Sequence, residues 1–319
     1  MKLHINTKLI VSVVATISIV VNCLFAFFYY QEERHFALDE KDYPLLSKRI
    51  FTQNPNDVIV NFVQLRKAVK EYVLAQNGNV GIYFEYLPSG ISIGVNDREE
   101  VKLASLSKVP LVMSILRKVE KREIRLEDIV TIKKENLDQK FGELWKKGEG
   151  TNMSIEELIK ETLVNSDNTA YHTLLSLLTP NEVIDVYDNL EIEVNSIETE
   201  PVVSPKSYSS IFRSLYLSSY LSENNSQYIL DILTKNAYND KIPAGIPDKK
   251  IKISQKIGVF SRANSEDKLF SDCGIVYLPG RPYILCVFVQ ESDEEAKKHI
   301  SYLSYMIYSY LMVVKGGNN

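Results

Sequence analysis

At 319 residues, with 45% hydrophobic and 24% charged side chains, the chain has the make-up of an ordinary globular protein able to bury a sizeable core. Its formal net charge of −4 comes from 37 basic and 41 acidic residues mixed along the length. No basic stripe is left to neutralise phosphates, so nucleic acid is excluded as an expected partner. Of the three cysteines, Cys23 falls in an apolar run, and Cys273 and Cys286 read as small buried free thiols, with a bridge across a hairpin as the alternative. No metal-ligand spacing occurs, and neither a metal nor a cofactor is expected.

Residues 9–30 carry no charge, and as a helix they span about 33 Å, enough to cross a bilayer. Lys2 and Lys8 precede this run, while acids and bases mix after it, so residues 1–8 read as a short cytoplasmic N-terminus and the body as extracytoplasmic. The run is too long for a signal-peptide core and no small-residue cleavage site follows, which favours an uncleaved anchor. Residues 31–56, polar and carrying Pro44 and Pro55, read as a stalk, and residues 57–319 as the folded domain.

The folded part opens with a helical pattern in which Val58, Phe62, Leu65, Val69 and Tyr72 share one face, ending near Asn77 and Gly78. Two short strands follow, NVGIYFEYL and ISIGVN, joined by a turn at Pro88, Ser89 and Gly90. From about 105 to 235 the helical segments MSIEELIKETLV, TAYHTLLSLL and PKSYSSIFRSLYLSSYL dominate, which predicts a helical subdomain. Strand patterns return in KIKISQKIGVF, SDCGIVYL and PYILCVFVQ, and a last helix runs from about 294 to 314. The order predicts an α+β domain in which terminal segments build one layered unit and the helical insertion packs beside it.

Three short motifs carry candidate chemistry: Ser105-Leu106-Ser107-Lys108, then Ser166-Asp167-Asn168, then Lys256-Ile257-Gly258. Ser105 and Lys108 stand three apart, so at a helix start they share a face, where the lysine amine can take the hydroxyl proton. A lysine serves as that base only when burial and a neighbouring cation lower its pKa, and Lys256 is a candidate neighbour. The backbone N–H of Ser105 is a candidate oxyanion donor. Taken singly, each motif has a plainer reading: Ser105 and the Ser-Asp-Asn triplet as helix caps, Lys256 as a solvated strand lysine.

Together, in this order, the motifs resemble those of class A β-lactamases and penicillin-binding proteins, and the likeness covers roughly residues 57–314. The resemblance implies a five-stranded antiparallel sheet flanked by helices, with an all-helical subdomain. It implies Ser105 as nucleophile, Lys108 as base, Ser166 as proton relay, Asn168 as a group holding Lys108 and a substrate amide, and Lys256 as electrostatic anchor. It places the second oxyanion donor at Val259, just past Gly258. The substrates implied are β-lactams or peptidoglycan stem peptides ending in acyl-D-Ala.

Two departures bear on activity. The glutamate-bearing loop that such β-lactamases carry between the second and third motifs is shortened here, and Glu198 and Glu200 are the nearest acids. An acyl-enzyme lacking that base is expected to deacylate slowly. Ile257 stands where the family has a hydroxyl residue that helps hold the substrate carboxylate, with Arg262 or Ser261 as possible compensation. The alternative is a catalytically weak relative acting as an envelope-binding or scaffolding module. The four histidines, including His172, lack ligand spacing and read as solvated or core residues, and Trp145 and the tyrosines as packing, with Trp145 or Phe141 as candidates for the cleft rim.

Overall fold

In the computed structural model the described residues are Val20, Asn22, Cys23 and residues 62–76, 79–194, 201–261 and 268–313. The 9–30 span apart from those three residues, the 31–56 stalk, Glu198, Glu200 and Arg262 lie outside them. Among the described residues no helix is long and apolar enough to cross a membrane.

Helix α1 (Val63–Leu74) turns Leu65, Val69 and Val73 inward at helical spacing. Strands β1 (Val80–Tyr86) and β2 (Ile91–Val95) form the expected hairpin, closed at Gly90 with φ 70°, a conformation that suits a residue without Cβ. After the short β3 (Val101–Lys102) comes a 3₁₀ turn, Ala104–Ser107, that runs directly into α2 (Lys108–Glu120). The helical subdomain continues through β4 (Ile129–Thr131) and its partner β5 (Asn152–Ser154), α3 (Ile155–Val164), α4 (Asn168–Leu175) and α5 (Pro180–Asn189). Capping boxes start α3 (Ser154 with Glu157) and α5 (Thr179 with Glu182), each satisfying N–H groups that the helix leaves open.

Strand β6 (Val202–Val203) pairs with β3, and α6 (Pro205–Leu217) follows, ended by Ser218 in the left-handed region. Next come α7 (Glu223–Leu233), the long strands β7 (Ile253–Ser261), β8 (Lys268–Val276) and β9 (Tyr283–Glu291), and α8 (Asp293–Val313). The main sheet is antiparallel throughout in the order β2-β1-β9-β8-β7, so the last strand of the chain sits beside the first and β7 is an edge.

Both faces of the sheet are covered, and strand periodicity divides the core accordingly. Ile82 and Phe84 of β1 and Leu285 and Val287 of β9 pack with α1 and α8. Tyr83, Ile284 and Phe288 face the other way, into the core shared with α2, α3 and α6. On that second face Arg213 of α6 donates through Nε to Glu85 of β1 at 2.8 Å, and the Tyr83 hydroxyl donates to the same carboxylate at 3.0 Å. The only buried acid of β1 is thereby satisfied.

The expectation of free thiols is corrected here: Cys273 and Cys286 form a disulfide. The β8–β9 turn brings the two residues directly opposite each other, with Cα atoms 4.1 Å apart. That is the spacing of the closer, non-hydrogen-bonded kind of antiparallel pair, where side chains approach most nearly.

Candidate active site

The three motifs, the first and last of them about 150 residues apart, converge where the 3₁₀ turn, the loop before α4 and the edge strand β7 meet. Ser105 sits in the 3₁₀ turn, one step before the α-helix, where residues three apart eclipse. The turn is locked from several sides. The Ser107 hydroxyl donates to the Ala104 carbonyl at 2.7 Å, the buried Tyr208 hydroxyl to the Leu106 carbonyl at 2.8 Å, and the Leu103 N–H to the Pro201 carbonyl at 3.0 Å. Ala104 holds φ 46°, a left-handed conformation that an alanine adopts only when its surroundings impose it. The Ser105 hydroxyl, half-buried, has no hydrogen-bond partner among the described residues.

Every residue from Lys108 to Leu116 is buried, so α2 carries Lys108 into the interior at its first turn. Its ammonium donates to the backbone carbonyl of Ser166, to Asn168 Oδ1 at 2.7 Å and, at 3.3 Å, to Ser166 Oγ. Burial lowers its pKa to about 7, outweighing the attraction of Asp167 and Asp138. The rings of Tyr171 and Phe141 lie 5.7 and 5.9 Å from the ammonium. Lys256 is fully buried on β7 and donates to Ser166 Oγ at 2.8 Å and to the Ile257 carbonyl at 3.2 Å. Burial, then the charge of Lys108, pushes its pKa well below the ordinary lysine value. One hydroxyl, Ser166 Oγ, thus bridges the two lysines.

The Ser-Asp-Asn triplet meets both of its readings at once. Asp167 is the cap: Oδ1 accepts from the Ala170 N–H at 2.9 Å, and Oδ2 accepts from the Leu144 N–H at 2.8 Å. With the cap supplied by the middle residue, Ser166 and Asn168 are free to turn to the lysines. Ser166, at φ 55°, is held in the left-handed region to do so.

Gly258 explains the glycine of the third motif. A Cβ there would stand 2.8 Å from the Leu103 carbonyl and 2.5 Å from Ser271 Oγ, so only glycine lets the nucleophile turn pack this closely on β7. Val259 follows on the edge strand, half-buried beside the turn. Ile257 is 3% exposed and pairs with Asp272 across the β7–β8 ladder. Asp272 is also fully buried. One of its oxygens accepts from the Ile242 N–H at 2.9 Å, the other has no partner among the described residues, and burial raises its pKa to about 7.

Several site residues had no motif to announce them. Asp138 Oδ1 accepts from the Lys140 N–H at 2.7 Å and from Asn168 Nδ2 at 3.2 Å, and so fixes which end of the Asn168 amide faces Lys108. His172 Nε2 lies 3.7 Å from Asp138 Oδ2, which places this histidine beside the site rather than in plain solvent. Phe141 belongs to the site, whereas Trp145 lies under the Lys146 ammonium at 5.9 Å. The one available signal was Gly142: at φ 89°, with Asp167 Oδ2 2.0 Å from where a Cβ would be, it marks a close backbone approach. Among the described residues no group of histidines, cysteines or acids could hold a metal ion.

A sequence model of the β-lactamase enzyme family matches residues 64–311. A β-lactamase of Proteus vulgaris is 27% identical over 236 residues, covering 69% of this chain and 76% of that protein. Among solved structures, PBP-A superposes with a TM-score of 0.70 at 22% identity, covering 78% of this chain and 96% of PBP-A. A β-lactamase from Sphaerobacter thermophilus superposes with a TM-score of 0.72 at 20% identity, covering 81% and 100%. With the family match spanning most of the folded part, the chain belongs to the β-lactamase enzyme family, whose members are serine hydrolases.

Proposed function

We propose that this protein is a membrane-anchored, extracytoplasmic serine hydrolase that forms an acyl-enzyme on Ser105 with β-lactams or acyl-D-Ala peptides and releases it slowly. The observation that carries the reading is Lys108: buried, held by Ser166 and Asn168, three residues after Ser105, with a pKa of about 7. Near neutral pH much of it is the free amine, the form that accepts a proton.

In this scheme Ser105 Oγ attacks the substrate carbonyl while its proton passes to Lys108. The N–H groups of Ser105 and Val259 stabilise the oxyanion. Ser166, bonded to both lysines, carries the proton on to the leaving group, and Asn168 orients the substrate amide. Slow release rests on the shortened loop between the second and third motifs, which lacks the glutamate pattern that such β-lactamases carry there. The anchor rests on the uncharged 9–30 run.

Intact-mass spectrometry after incubation with benzylpenicillin tests the assignment. A stoichiometric adduct mapping to Ser105 and lost in Ser105→Ala is expected, and an adduct that persists in Ser105→Ala overturns it. Retention in the membrane fraction through alkaline carbonate extraction is expected of the anchor, and release into the supernatant contradicts it.

A binding-module reading draws on Ile257 and on the complete burial of Lys256, which together leave the substrate-carboxylate end poorly gripped. It is favoured if peptidoglycan fragments bind equally to wild type and Ser105→Ala and no adduct forms.

A further inference from the structure

We propose that the hollow between α2, α4 and α5 is an acyl-chain site, and that the acyl half of this enzyme's substrate carries an extended apolar group. The proposal rests on the Ser105 acyl-transfer reading above and names what that acyl group must be. The hollow has a volume of about 290 Å³, at the lower end of ligand pockets, which run from about 300 to 1,000 Å³. Leu111, Leu175, Leu178 and Val183 contribute aliphatic walls and Tyr171 and Tyr187 aromatic ones.

Its place ties it to the chemistry. One wall is Ser107, in the nucleophile's own turn, and Leu111 stands one helical turn beyond Lys108. Another is Tyr171, whose ring lies 5.7 Å from the Lys108 ammonium. The hydroxyls of Ser107, Tyr171, Thr179 and Tyr187 put polar groups in a lining that is otherwise mostly apolar, and the Tyr187 side chain is 1% exposed.

The choice of occupant follows from where the site can gain binding energy. On the leaving-group side, the strand position next to Lys256 is the buried, apolar Ile257, and the Lys256 ammonium is taken up by Ser166 and a backbone carbonyl. Among the described residues, this strand position adds no polar side chain to grip the leaving group. The hollow offers apolar surface that borders the nucleophile's turn at Ser107 and the Lys108 neighbour Tyr171, and there each methylene removed from water contributes to affinity.

Alkanoyl thioesters of a neutral thiol, from acetyl through butanoyl and hexanoyl to octanoyl, test this on the full-length protein. In the reaction the Ser105 Oγ–carbon bond forms, the carbon–sulfur bond breaks, the hydroxyl proton leaves with the thiol by way of Lys108, and water later hydrolyses the acyl-serine. The acylation kcat/KM is expected to rise by about two- to fourfold per methylene until the hollow is full, the upper figure being the equivalent of ~0.8 kcal/mol per buried CH₂. Val183→Trp, and separately Leu178→Phe, narrow the hollow and should collapse the octanoyl-to-acetyl ratio toward one. That ratio is internal to each variant, so a loss of folded protein does not move it. A flat series with Ser105-dependent acetyl turnover, or a steep series that neither variant flattens, overturns the acyl-chain site and leaves the acyl-transfer reading standing. Absence of Ser105-dependent acylation by every thioester and by benzylpenicillin overturns both.

Discussion

The lysine three residues after the nucleophile sets the pH behaviour of the site. Because burial lowers the Lys108 pKa to about 7, the neutral amine grows as pH rises through that value. The rate of penicillin adduct formation should climb about tenfold per pH unit below 7 and level off above it, and a stopped-time labelling series from pH 5 to 9 checks this. Ser166→Ala removes the hydroxyl shared by Lys108 and Lys256 and should slow acylation by about 10²–10⁴-fold, measured by the same labelling. Asp138→Ala frees the Asn168 amide to rotate and should cost about tenfold, the rate equivalent of ~1.4 kcal/mol.

At this scale the motif residues were legible because their types and spacing are themselves chemical. Asp138 and Tyr171 were not, since their positions depend on how the loop before α4 folds back, and no local periodicity encodes that; Phe141, a candidate for the cleft rim, does lie at the Lys108 ammonium. His172, read as solvated or core, is partly exposed, and its neighbour Asp138, 34 residues away in the chain and 3.7 Å away in space, could not be read from the sequence.

Among the elements, the pairing of the nucleophile turn with β7 depends on a missing side chain. Gly258→Ala places a methyl against the Leu103 carbonyl and Ser271 Oγ, so the turn must lift off the edge strand. Adduct formation should fall at least a hundredfold while near-ultraviolet circular dichroism still reports a folded protein. The β8–β9 hairpin is closed by the Cys273–Cys286 bridge across a loop of 13 residues in separation, for which chain entropy gives about 3 kcal/mol of stabilisation. Replacing both cysteines by alanine should lower the urea midpoint accordingly. Strands and helices could be read from period-2 and period-3.6 patterns, and α8 begins and ends within a residue of its expected bounds. The disulfide was read the other way because turn length alone does not say which residues of two strands face each other. The start of α2 at Lys108, rather than at Ser105, reflects the 3₁₀ geometry that tertiary packing imposes.

For the whole molecule, the sheet order β2-β1-β9-β8-β7 joins the two ends of the folded chain. The element order already put the terminal segments into one layered unit, but the strand order itself was not legible, because long-range strand pairing leaves no mark in either strand alone. Asp272, on the interior strand β8, is fully buried, and its pKa is raised to about 7 by that burial. A group whose folded pKa is raised gives stability that is present in full below its unfolded value, near 4, and is lost as pH rises through 7. Asp272→Asn does not titrate, so its stability relative to wild type should increase from pH 4 to pH 8. Urea unfolding at both values checks the sign, and a gap that shrinks over that interval contradicts it.

The most direct test is a fluorescent-penicillin time course on the full-length protein beside Ser105→Ala, followed by a chase with unlabelled penicillin. Label that requires Ser105 and stays bound for hours is the outcome expected of a serine acyl-enzyme without a deacylating base. Label that leaves within minutes, or that forms equally well in Ser105→Ala, contradicts it.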